Sequence, residues 1–484
     1  MALDEIRQTK IEKIEKLKKA GVDPYPASSG RTHEIVQALL LFDSLSANKT
    51  ELVLVGRIMA KREHGGSIFF DVKDGTGQIQ AYLKQDVVGE DDFKTFNELF
   101  DIGDFVEIYG TLFKTKKEEK TLEVQKYKLL TKALLPLPEK WHGIQDSEEK
   151  LRKRYLDILF NPEVKQIIEK RAMFWNAVRE FHVQNGFLEV ETPVLETTVG
   201  GADATPFKTH HNALDIDVYL RISAGELWQK RLMVAGFDKT FEIGRIFRNE
   251  GMSAEHLQDY TQCETYWAYA DYKDMYKFMQ ECFRFVADKT FNTLKFKINN
   301  FDVDLGSDWP LIDYTEEVKK QTGVDIWKAN EKEIKSKLKE LKIEYNKAEN
   351  KARLIDSLWK HCRKNIGGPA ILVNEPKIIS PLSKSTPGNP DVVERFHIII
   401  AGSELCNGYS ELNDPQDQRE RFEEQEKMRA AGDKEAQQMD DDFVEALEYG
   451  MPPTAGQGFS ERLFSFLMNK PVRETQIFPL MRPK

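Results

Sequence analysis

Between Glu51 and Lys132, hydrophobic and polar residues alternate with a period of two. Glycines at Gly65–Gly66, Gly75–Gly77 and Gly110 separate five alternating stretches: LVLVGRIMAKR, SIFFDVKDG, QIQAYLK, DFVEIYGTLFK and TLEVQKYKLL. Because successive side chains of a strand point to opposite faces, this pattern predicts five strands that each bury one face. Short strands separated by glycine turns are typical of a small closed barrel.

The OB-fold is the natural candidate for this barrel, which we place at residues 51–135. OB-folds mostly bind single-stranded nucleic acids or sugars, through exposed aromatic rings and polar side chains. Phe69, Phe70 and Gln80 are residues of the required types. Strand alternation, however, must send one of the two phenylalanines into the barrel core.

Outside the barrel, helical spacing dominates. Residues 1–50 predict a helical extension that fits either a solvated amphipathic helix or an RNA-contacting helix, with the apolar face Ile6, Ile11, Ile14 and Leu17. A proline-containing linker at 136–150 precedes a second domain at 151–484. In this domain helices alternate with strands, and a Lys/Glu-rich helical insertion covers about 315–364. The predicted fold class is α+β.

Composition restricts the class of protein. A chain of 484 residues is too long for one core of ordinary size, so two domains are expected. The net charge of −10 argues against a protein that coats nucleic acid indiscriminately. No apolar run approaches the ~20 residues of a membrane span. The N-terminus lacks a secretory layout and the four cysteines lack metal-binding spacing, so we expect buried free thiols and a cytoplasmic location.

The stretch FRNEGMSAEHLQDYTQCETYW, residues 247–267, combines an arginine with several carboxylates and rings. It joins two alternating stretches and predicts a hairpin whose loop presents Arg248, Glu250 and His256 to a cleft. Arginine suits a phosphate or carboxylate, because its planar fork donates two parallel hydrogen bonds. Taken alone, the segment fits an exposed Arg–Glu surface pair better.

A second segment with candidate chemistry is RFHIIIAGSELCNGYSELND, residues 395–414. A buried apolar strand is followed there by Glu404, Asn407 and Glu411. Carboxylates beside an apolar strand need a metal ion or an ammonium group as a partner. Carboxylates on a solvated edge are an equal alternative for this segment alone.

The third segment is PPTAGQGFSERLFSFLMN, which begins at Pro452. Gly456 and Gly458 precede a predicted helix that opens near Ser460, with Arg462 in its first turn. Backbone N–H groups and an arginine in this arrangement suit a polyphosphate. A G-x-G sequence by itself is weak evidence.

In this order the three segments resemble the signature motifs of the class II aminoacyl-tRNA synthetases, and the flanking sequence resembles the bacterial lysyl-tRNA synthetases. The resemblance covers nearly the whole chain, through RYLDILFNPEV, FLEVETPVL, GGADATPFKTHHNALDIDVYLRIS, FEIGRIFRNEG, NGYSELNDPQDQRERF, YGMPPTAG and IFPLMRP. It implies a six- or seven-stranded antiparallel catalytic sheet flanked by helices, an N-terminal anticodon-binding OB-fold and a homodimer with Pro193 at the interface. The implied activity is that of a lysine–tRNA ligase, which activates L-lysine with ATP and Mg²⁺ to lysyl-adenylate and transfers it to the 3′ end of tRNA(Lys).

The resemblance also implies roles for residues around the nucleotide. Arg248 would hold the ATP α-phosphate and the amino-acid carboxylate together for in-line attack. Glu404 would bind Mg²⁺, with His397 as a candidate second ligand, and Tyr260 would stack on adenine opposite Arg462. The implied catalytic residues are Arg248, Glu404 and Arg462, and the implied ATP-binding residues are Arg248, Glu250, His256, Tyr260, Glu404 and Arg462.

A lysine pocket must neutralise an ammonium group, and this sequence supplies acids for it. Glu226 and Glu411 match the carboxylates that bind the side-chain amine in the family, while Glu264 and Gly201 would hold the α-amino end. The implied lysine-binding set is Gly201, Glu226, Arg248, Glu264, Tyr266, Asn407, Tyr409 and Glu411. In the barrel, Phe69 and Gln80 match positions that stack on and read the anticodon uridines.

Three features depart from the family pattern. GQGFSER is shorter than the usual third motif and lacks its last glycine. His397 stands where a second metal-binding glutamate is common, and imidazole is a poor ligand for Mg²⁺. Glu255 stands where the family usually has an arginine for the γ-phosphate, and Leu257 replaces a polar neighbour.

Three alternatives stay open from the sequence. The first is a class II synthetase for aspartate or asparagine, against which Glu226 and Glu411 weigh. The second is a relative that attaches a lysine derivative to a protein, against which the barrel weighs. The third is a catalytically silent RNA-binding paralogue, against which Arg248, Glu404 and Arg462 weigh.

Overall fold

The computed structural model describes residues 3–138, 146–198, 200–201, 204–345, 350–380, 382–430 and 438–483. The chain divides into two compact units, Met1–Gln145 and Asp146–Lys484. Residues 139–145 of the predicted linker and 346–349 of the predicted insertion lie outside the described residues. The bounds predicted from the sequence for the barrel (51–135), the linker (136–150) and the second domain (151–484) stay predictions.

The first unit contains a closed barrel with the strand order β1-β2-β3-β5-β4. Its strands are β1 (Leu52–His64), β2 (Ser67–Lys73), β3 (Gln78–Lys84), β4 (Phe105–Lys114) and β5 (Lys120–Thr131). Its helices are α1 (Leu3–Lys19), α2 (Ile35–Leu40), α3 (Phe42–Ala47), α4 (Gln85–Val88) and α5 (Glu90–Leu99). The predicted five-stranded barrel is confirmed.

Alternation along β2 decides between the two neighbouring phenylalanines. Phe70 is fully buried in the barrel core together with Ile68 and Val72. Phe69 therefore lies on the outer face, where it is half-buried.

The second unit is built on one large sheet with the strand order β14-β15-β17-β18-β19-β11-β10-β6, and β16 pairs with β17. The strands of this sheet are β6 (Leu188–Glu189), β10 (Lys239–Phe247), β11 (Asp259–Ala268), β14 (Leu311–Asp313), β15 (Ala370–Pro376), β16 (Ser385–Thr386), β17 (Asn389–Ile400), β18 (Ser403–Ser410) and β19 (Thr454–Ser460). The shorter sheets contain β7 (Leu195–Glu196), β8 (Lys208–His211), β9 (Ile216–Leu220), β12 (Lys295–Ile298) and β13 (Phe301–Asp304).

The helices of the second unit cover and extend this sheet. They are α6 (Ser147–Arg152), α7 (Arg154–Phe160), α8 (Pro162–Gln184), α9 (Glu226–Val234), α10 (Tyr272–Phe291), α11 (Tyr314–Thr322), α12 (Glu331–Glu340), α13 (Lys351–Cys362), α14 (Pro415–Ala430), α15 (Asp441–Glu448) and α16 (Arg462–Leu467). The α+β fold class is confirmed, with helices α11 to α13 in the predicted insertion.

Two long helices form the main core with one face of the sheet. Helix α8 begins with Pro162 in its first turn, and the side chain of Asn161 caps it by accepting a hydrogen bond from the Glu163 N–H. Its buried Phe174 packs in one apolar cluster with Met279 of α10 and with residues of the sheet. This burial holds the sheet rigid from one side and leaves its other face for a site.

Two expectations about the second unit need correction. The large sheet has nine strands in the described chain rather than six or seven, because short strands add to its edges and two of its pairings, β14 with β15 and β10 with β6, are parallel. Gly456 and Gly458 lie within strand β19, a strand that the sequence did not predict, and α16 begins at Arg462 rather than near Ser460.

No helix in the described parts of the chain has the combined length and apolar character that crossing a membrane requires. The four cysteines are buried and carry free thiols.

Candidate active site

The central strands bring the three segments with candidate chemistry together. Strand β18 pairs with β19, and β19 pairs with β11, so residues in register form rows across these three strands. One row consists of Asn407, Gly458 and Glu264. The next row on the same face, two residues away along each strand, consists of Tyr409, Gly456 and Tyr266. Because residues two apart on a strand share a face, the four larger side chains stand on the same side of the sheet.

Glycines in β19 create the space between these side chains. A Cβ atom on Gly456 would lie 2.1 Å from Oε1 of Glu411, and one on Gly458 would lie 3.0 Å from Nε2 of Gln262. Only a strand position without a side chain allows this approach. The G-x-G pattern therefore serves as the floor of a cavity here.

A cavity of about 360 Å³ opens over this floor. Its wall contains the predicted residues Gly201, Glu226, Arg248, His256, Tyr260, Glu264, Tyr266, His397, Glu404, Asn407, Tyr409, Glu411 and Arg462. Glu250 lies away from this wall: it is exposed, and its carboxylate accepts a hydrogen bond from the Thr205 N–H at 3.3 Å. Segments far apart in the sequence thus meet in one concave site.

One end of the cavity is acidic. Glu226 opens helix α9, where Gly225 adopts φ +79° and a side chain would collide with Thr192. Glu264 accepts hydrogen bonds from the Ala224 N–H at 2.7 Å and from Gln262 at 2.6 Å. Burial, aided by the neighbouring Glu226, raises the pKa of Glu264 to about 8.

Glu411 is the third buried carboxylate of this end. It is 1% exposed, and Oε1 has no hydrogen-bond partner among the described residues. Burial raises the pKa of Glu411 to about 8, although the ammonium of Lys230 opposes this shift. A buried carboxyl group with an unpaired oxygen is favoured in its ionised form only when a further cation binds beside it.

Lys230 was not among the residues singled out from the sequence. Its Nζ lies 2.9 Å from Oε1 of Glu226 and 2.6 Å from Oε2 of Glu411, and the Tyr409 hydroxyl donates to the same Glu226 oxygen. Burial would lower the pKa of Lys230, but the two carboxylates outweigh burial and raise it. The four-residue spacing of Glu226 and Lys230 on a helix is the signal that sequence reasoning missed.

Two arginines, Arg248 and Arg462, also line the cavity. Nε and Nη2 of Arg248 donate to the Ile222 carbonyl at 3.2 and 3.1 Å, and its guanidinium lies 5.8 Å from the Tyr260 ring centroid. Arg462 pairs with Glu255, whose carboxylate also accepts a hydrogen bond from Ser403 at 2.7 Å. The acid at position 255 therefore occupies a small anion site between an arginine and a hydroxyl.

The two candidate metal ligands differ in their surroundings. Burial opposes ionisation of Glu404, but His397 and Arg363 hold its pKa below the ordinary value. Nε2 of His397 lies 2.8 Å from Glu375, and its Nδ1 is buried without a hydrogen-bond partner. No group of three or more His, Cys, Asp or Glu side chains able to hold a metal ion occurs among the described residues.

The outer face of the barrel carries an aromatic group. The ring centroids of Phe69 and Tyr82 lie 4.6 Å apart, and those of Tyr82 and Phe113 lie 6.0 Å apart. Gln80 accepts a hydrogen bond from the Thr121 hydroxyl at 3.0 Å. Tyr82 and Phe113 were not predicted from the sequence as members of this group, although each occupies an outward position of its alternating strand.

Comparison with protein families divides the chain in the same way. The sequence model of the family described as "tRNA synthetases class II (D, K and N)" matches residues 146–482. That of the family described as "OB-fold nucleic acid binding domain" matches residues 52–130.

Similar proteins match over their full length. The lysine–tRNA ligase of Thermosipho africanus is 44% identical over 99% of this chain and 97% of its own length. Those of Thermotoga maritima and Moorella thermoacetica are 43% and 42% identical over 100% of this chain and 97% and 99% of their own lengths. The chain therefore belongs to the class II tRNA synthetases and, within them, to the lysine–tRNA ligase family.

Proposed function

We propose that this chain activates L-lysine with ATP and transfers it to the 3′ end of tRNA(Lys). The observation that carries this proposal is the acidic end of the cavity, where Glu226, Glu264 and Glu411 are buried around one space. An ammonium group satisfies such a set, whereas the acidic or amide side chain of aspartate or asparagine does not. The free thiols fit a reducing compartment, so the proposed location is the cytoplasm.

The substrate lysine would span the cavity from its acidic end to Arg248. Its ε-ammonium would bind the unpartnered Oε1 of Glu411 and the Glu226 carboxylate, beside Tyr266, Asn407 and Tyr409. Its α-amino group would bind Glu264 near Gly201, where φ is +87° and a Cβ would lie 2.6 Å from Ser223. A side chain without an ammonium group would leave Oε1 of Glu411 without a partner and the negative charge of Glu226 and Glu411 in excess of that of Lys230, which is how such a site rejects it.

Arg248 would align the two reacting groups. Its guanidinium would bind the lysine carboxylate and the ATP α-phosphate, so that one carboxylate oxygen is placed for attack on phosphorus as pyrophosphate leaves. Tyr260 and Arg462 would hold adenine between them, with His256 against the nucleotide. Glu250 is not part of the cavity wall, but it acts electrostatically on His256 and Tyr260, which are, so it would approach the nucleotide beside them.

The residues at the metal position fit one carboxylate ligand. Glu404 is favoured as an anion, and carboxylate oxygen is the ligand that Mg²⁺ prefers. His397 does not fit, because its Nε2 already pairs with Glu375 and imidazole suits softer metals. Mg²⁺ bound by Glu404 and by ATP oxygens would neutralise phosphate charge.

Replacing Glu255 with glutamine is expected to lower the ATP KM about fivefold. The Glu255 carboxylate pairs with Arg462 and Ser403 and would repel the ATP phosphates, an effect of about 1 kcal/mol for a partly exposed pair. ATP-dependent pyrophosphate exchange measures this KM. Glu281→Gln, a neutralisation on the exposed face of α10, serves as the control, and an unchanged or higher ATP KM in Glu255→Gln would contradict the interpretation.

Replacing Phe69 with alanine is expected to weaken tRNA binding without affecting lysine activation. Phe69 and its neighbour Tyr82 would stack on anticodon bases while Gln80 reads a base edge, and stacking contributes about 1–3 kcal/mol per base. The tRNA KM should rise at least about fivefold, whereas pyrophosphate exchange without tRNA stays constant. Phe105→Ala is the matched control, because that ring is covered by Arg57 at 4.2 Å. Equal effects of the two substitutions would remove Phe69 from the anticodon site.

A homodimer is the proposed assembly. Exposed apolar side chains flank Pro193, including Leu188, Val194 and Leu195, whose relative exposures are 51%, 42% and 47%. Apolar side chains clustered on a surface mark a site of protein association. Sedimentation at micromolar concentration is expected to give twice the mass of 56.0 kDa.

Aminoacylation tests the proposed function. Radiolabelled lysine, ATP and Mg²⁺ are incubated with the protein and with transcripts of tRNA(Lys) or tRNA(Asp). Lysine should become attached to tRNA(Lys) alone. Absence of charging on tRNA(Lys) would refute the proposal.

A further inference from the structure

A cation belonging to the protein lies beneath the proposed lysine pocket. Lys230 is 1% exposed, and its Nζ is held by Glu226 and Glu411 on one side. The rings of Tyr409 and Phe443 lie 5.6 and 5.8 Å from Nζ. The ammonium is thus fully enclosed, while the two carboxylates also line the cavity.

The ion pairs of Lys230 use one oxygen of each carboxylate. Oε1 of Glu226 and Oε2 of Glu411 face Nζ. Oε1 of Glu411 faces the open floor at Gly456 and has no hydrogen-bond partner among the described residues, and Oε2 of Glu226 lies toward Gly201. Lys230 therefore fixes both carboxylates in an orientation that leaves a second pair of oxygens for another cation.

We propose that Lys230 is a positioning residue for lysine recognition, a resident counter-ion that allows Glu226 and Glu411 to be ionised together around the substrate ammonium. The inference rests on the proposed function of the pocket. With Lys230 the pair carries one net negative charge, and the substrate ammonium balances it. Without Lys230 the pair would carry two charges in a buried place, which is strongly unfavourable.

In this role the charge of Lys230 matters for substrate binding, whereas the volume of its side chain matters for packing. An apolar side chain of similar length would fill the volume under the pocket and preserve the packing, although removing one partner of a buried ion pair is destabilising. Such a replacement would, however, leave the carboxylates to take up protons and to turn toward each other. The substrate ammonium would then have to displace a more firmly held proton before it could bind.

The counter-ion role of Lys230 predicts how lysine binding depends on pH. A carboxyl group with a raised pKa is neutral below that pKa, so binding of the substrate ammonium releases a proton and lysine affinity rises with pH until the group is ionised. Lys230 opposes the rise in the pKa of Glu411, so removing its ammonium raises that pKa further and moves the midpoint of the binding curve to higher pH. The charged and titratable groups around Lys230, Glu226 and Glu411 are Tyr409, Tyr266, Glu264 and Arg395.

Lys230→Met tests the proposal in pyrophosphate exchange between pH 6.5 and 9.5. At pH 7.5 the lysine KM is expected to rise at least tenfold, the ATP KM to change less than twofold, and the pH midpoint of lysine kcat/KM to move up by about one unit. Met233→Ala, three residues along α9 and buried without charge, is the matched control. It should lower the melting temperature but leave the pH midpoint in place.

An unchanged pH midpoint in Lys230→Met, or equal increases in the lysine and ATP KM values, would overturn the proposal. A double-mutant cycle compares the melting temperatures of Lys230→Met, Glu411→Gln and the variant that carries both substitutions. Neutralising Glu411 should restore stability, or folding itself, if Lys230→Met is too unstable for kinetics. A double variant no more stable than Lys230→Met would show that Lys230 supplies packing alone and would also overturn the proposal.

Different results would refute the proposed function and the inference about Lys230. Wild-type protein without lysine-dependent exchange would refute lysine activation, while the melting cycle still decides whether Lys230 is the counter-ion of Glu226 and Glu411. Lysine-dependent exchange with an unchanged midpoint in Lys230→Met would retain the function and remove the inference.

Discussion

Replacing Glu411 with glutamine is expected to raise the lysine KM at least about thirtyfold. The substitution preserves the shape of the side chain but removes the negative charge whose Oε1 atom has no partner in the described chain. Removing one member of a buried charge pair typically costs about 2–5 kcal/mol, and 2 kcal/mol corresponds to about thirtyfold in affinity. Because the nucleotide would bind at the other end of the cavity, the ATP KM should change less than twofold.

Pyrophosphate exchange at varied lysine and varied ATP measures both constants for Glu411→Gln. Glu448→Gln provides the control, since its carboxylate on α15 is 57% exposed. Equal increases in the two KM values would mean that Glu411 is not the partner of the lysine side chain.

Replacing Arg248 with lysine should lower kcat for adenylate formation by about 10²–10³-fold. An ammonium cannot reproduce the two parallel hydrogen bonds of a guanidinium, so the carboxylate and the α-phosphate would no longer be held in line. Loss of one preorganised donor at a developing negative charge has an effect of this size. The lysine KM should change much less than kcat, because the ammonium contacts are untouched.

Single-turnover formation of lysyl-adenylate measures the Arg248→Lys effect directly. Arg245→Lys is the matched control: it lies on strand β10, which ends one residue before Arg248, and pairs with Asp259. A decrease in kcat of less than tenfold for Arg248→Lys would contradict the positioning role.

The barrel could be predicted from the sequence because its information is local. Alternation and glycine turns are consecutive features of one segment, and β1 to β5 agree closely with the predicted stretches. The alternation of side chains along β2 also distinguishes buried Phe70 from outward-facing Phe69 once the strand has been assigned. No long-range information was required.

The site residues were found through the family resemblance rather than through spacing. Glu226, Glu264, Glu411 and Arg462 lie on separate segments, and their convergence depends on the order of strands β18, β19 and β11. Periodicity does not give strand order. The glycines of β19 also removed the alternation that would have marked a strand, so this strand was not predicted.

Buried charge was the least predictable feature. From the sequence SAGELWQKR, Lys230 would be expected on the exposed face of a helix. Only the positions of Glu226 and Glu411 make its burial favourable. Glu255 is similar: its sequence position suggested a lost phosphate contact, whereas its carboxylate pairs with Arg462. Both depend on partners that are distant in the sequence.

ATP–pyrophosphate exchange with each of the twenty amino acids tests the central claim most directly. We expect exchange with L-lysine to exceed that with any other amino acid by at least about a hundredfold, because the buried acids of the pocket reject uncharged and acidic side chains. Exchange that depends on aspartate or asparagine, or no exchange with any amino acid, would contradict the account.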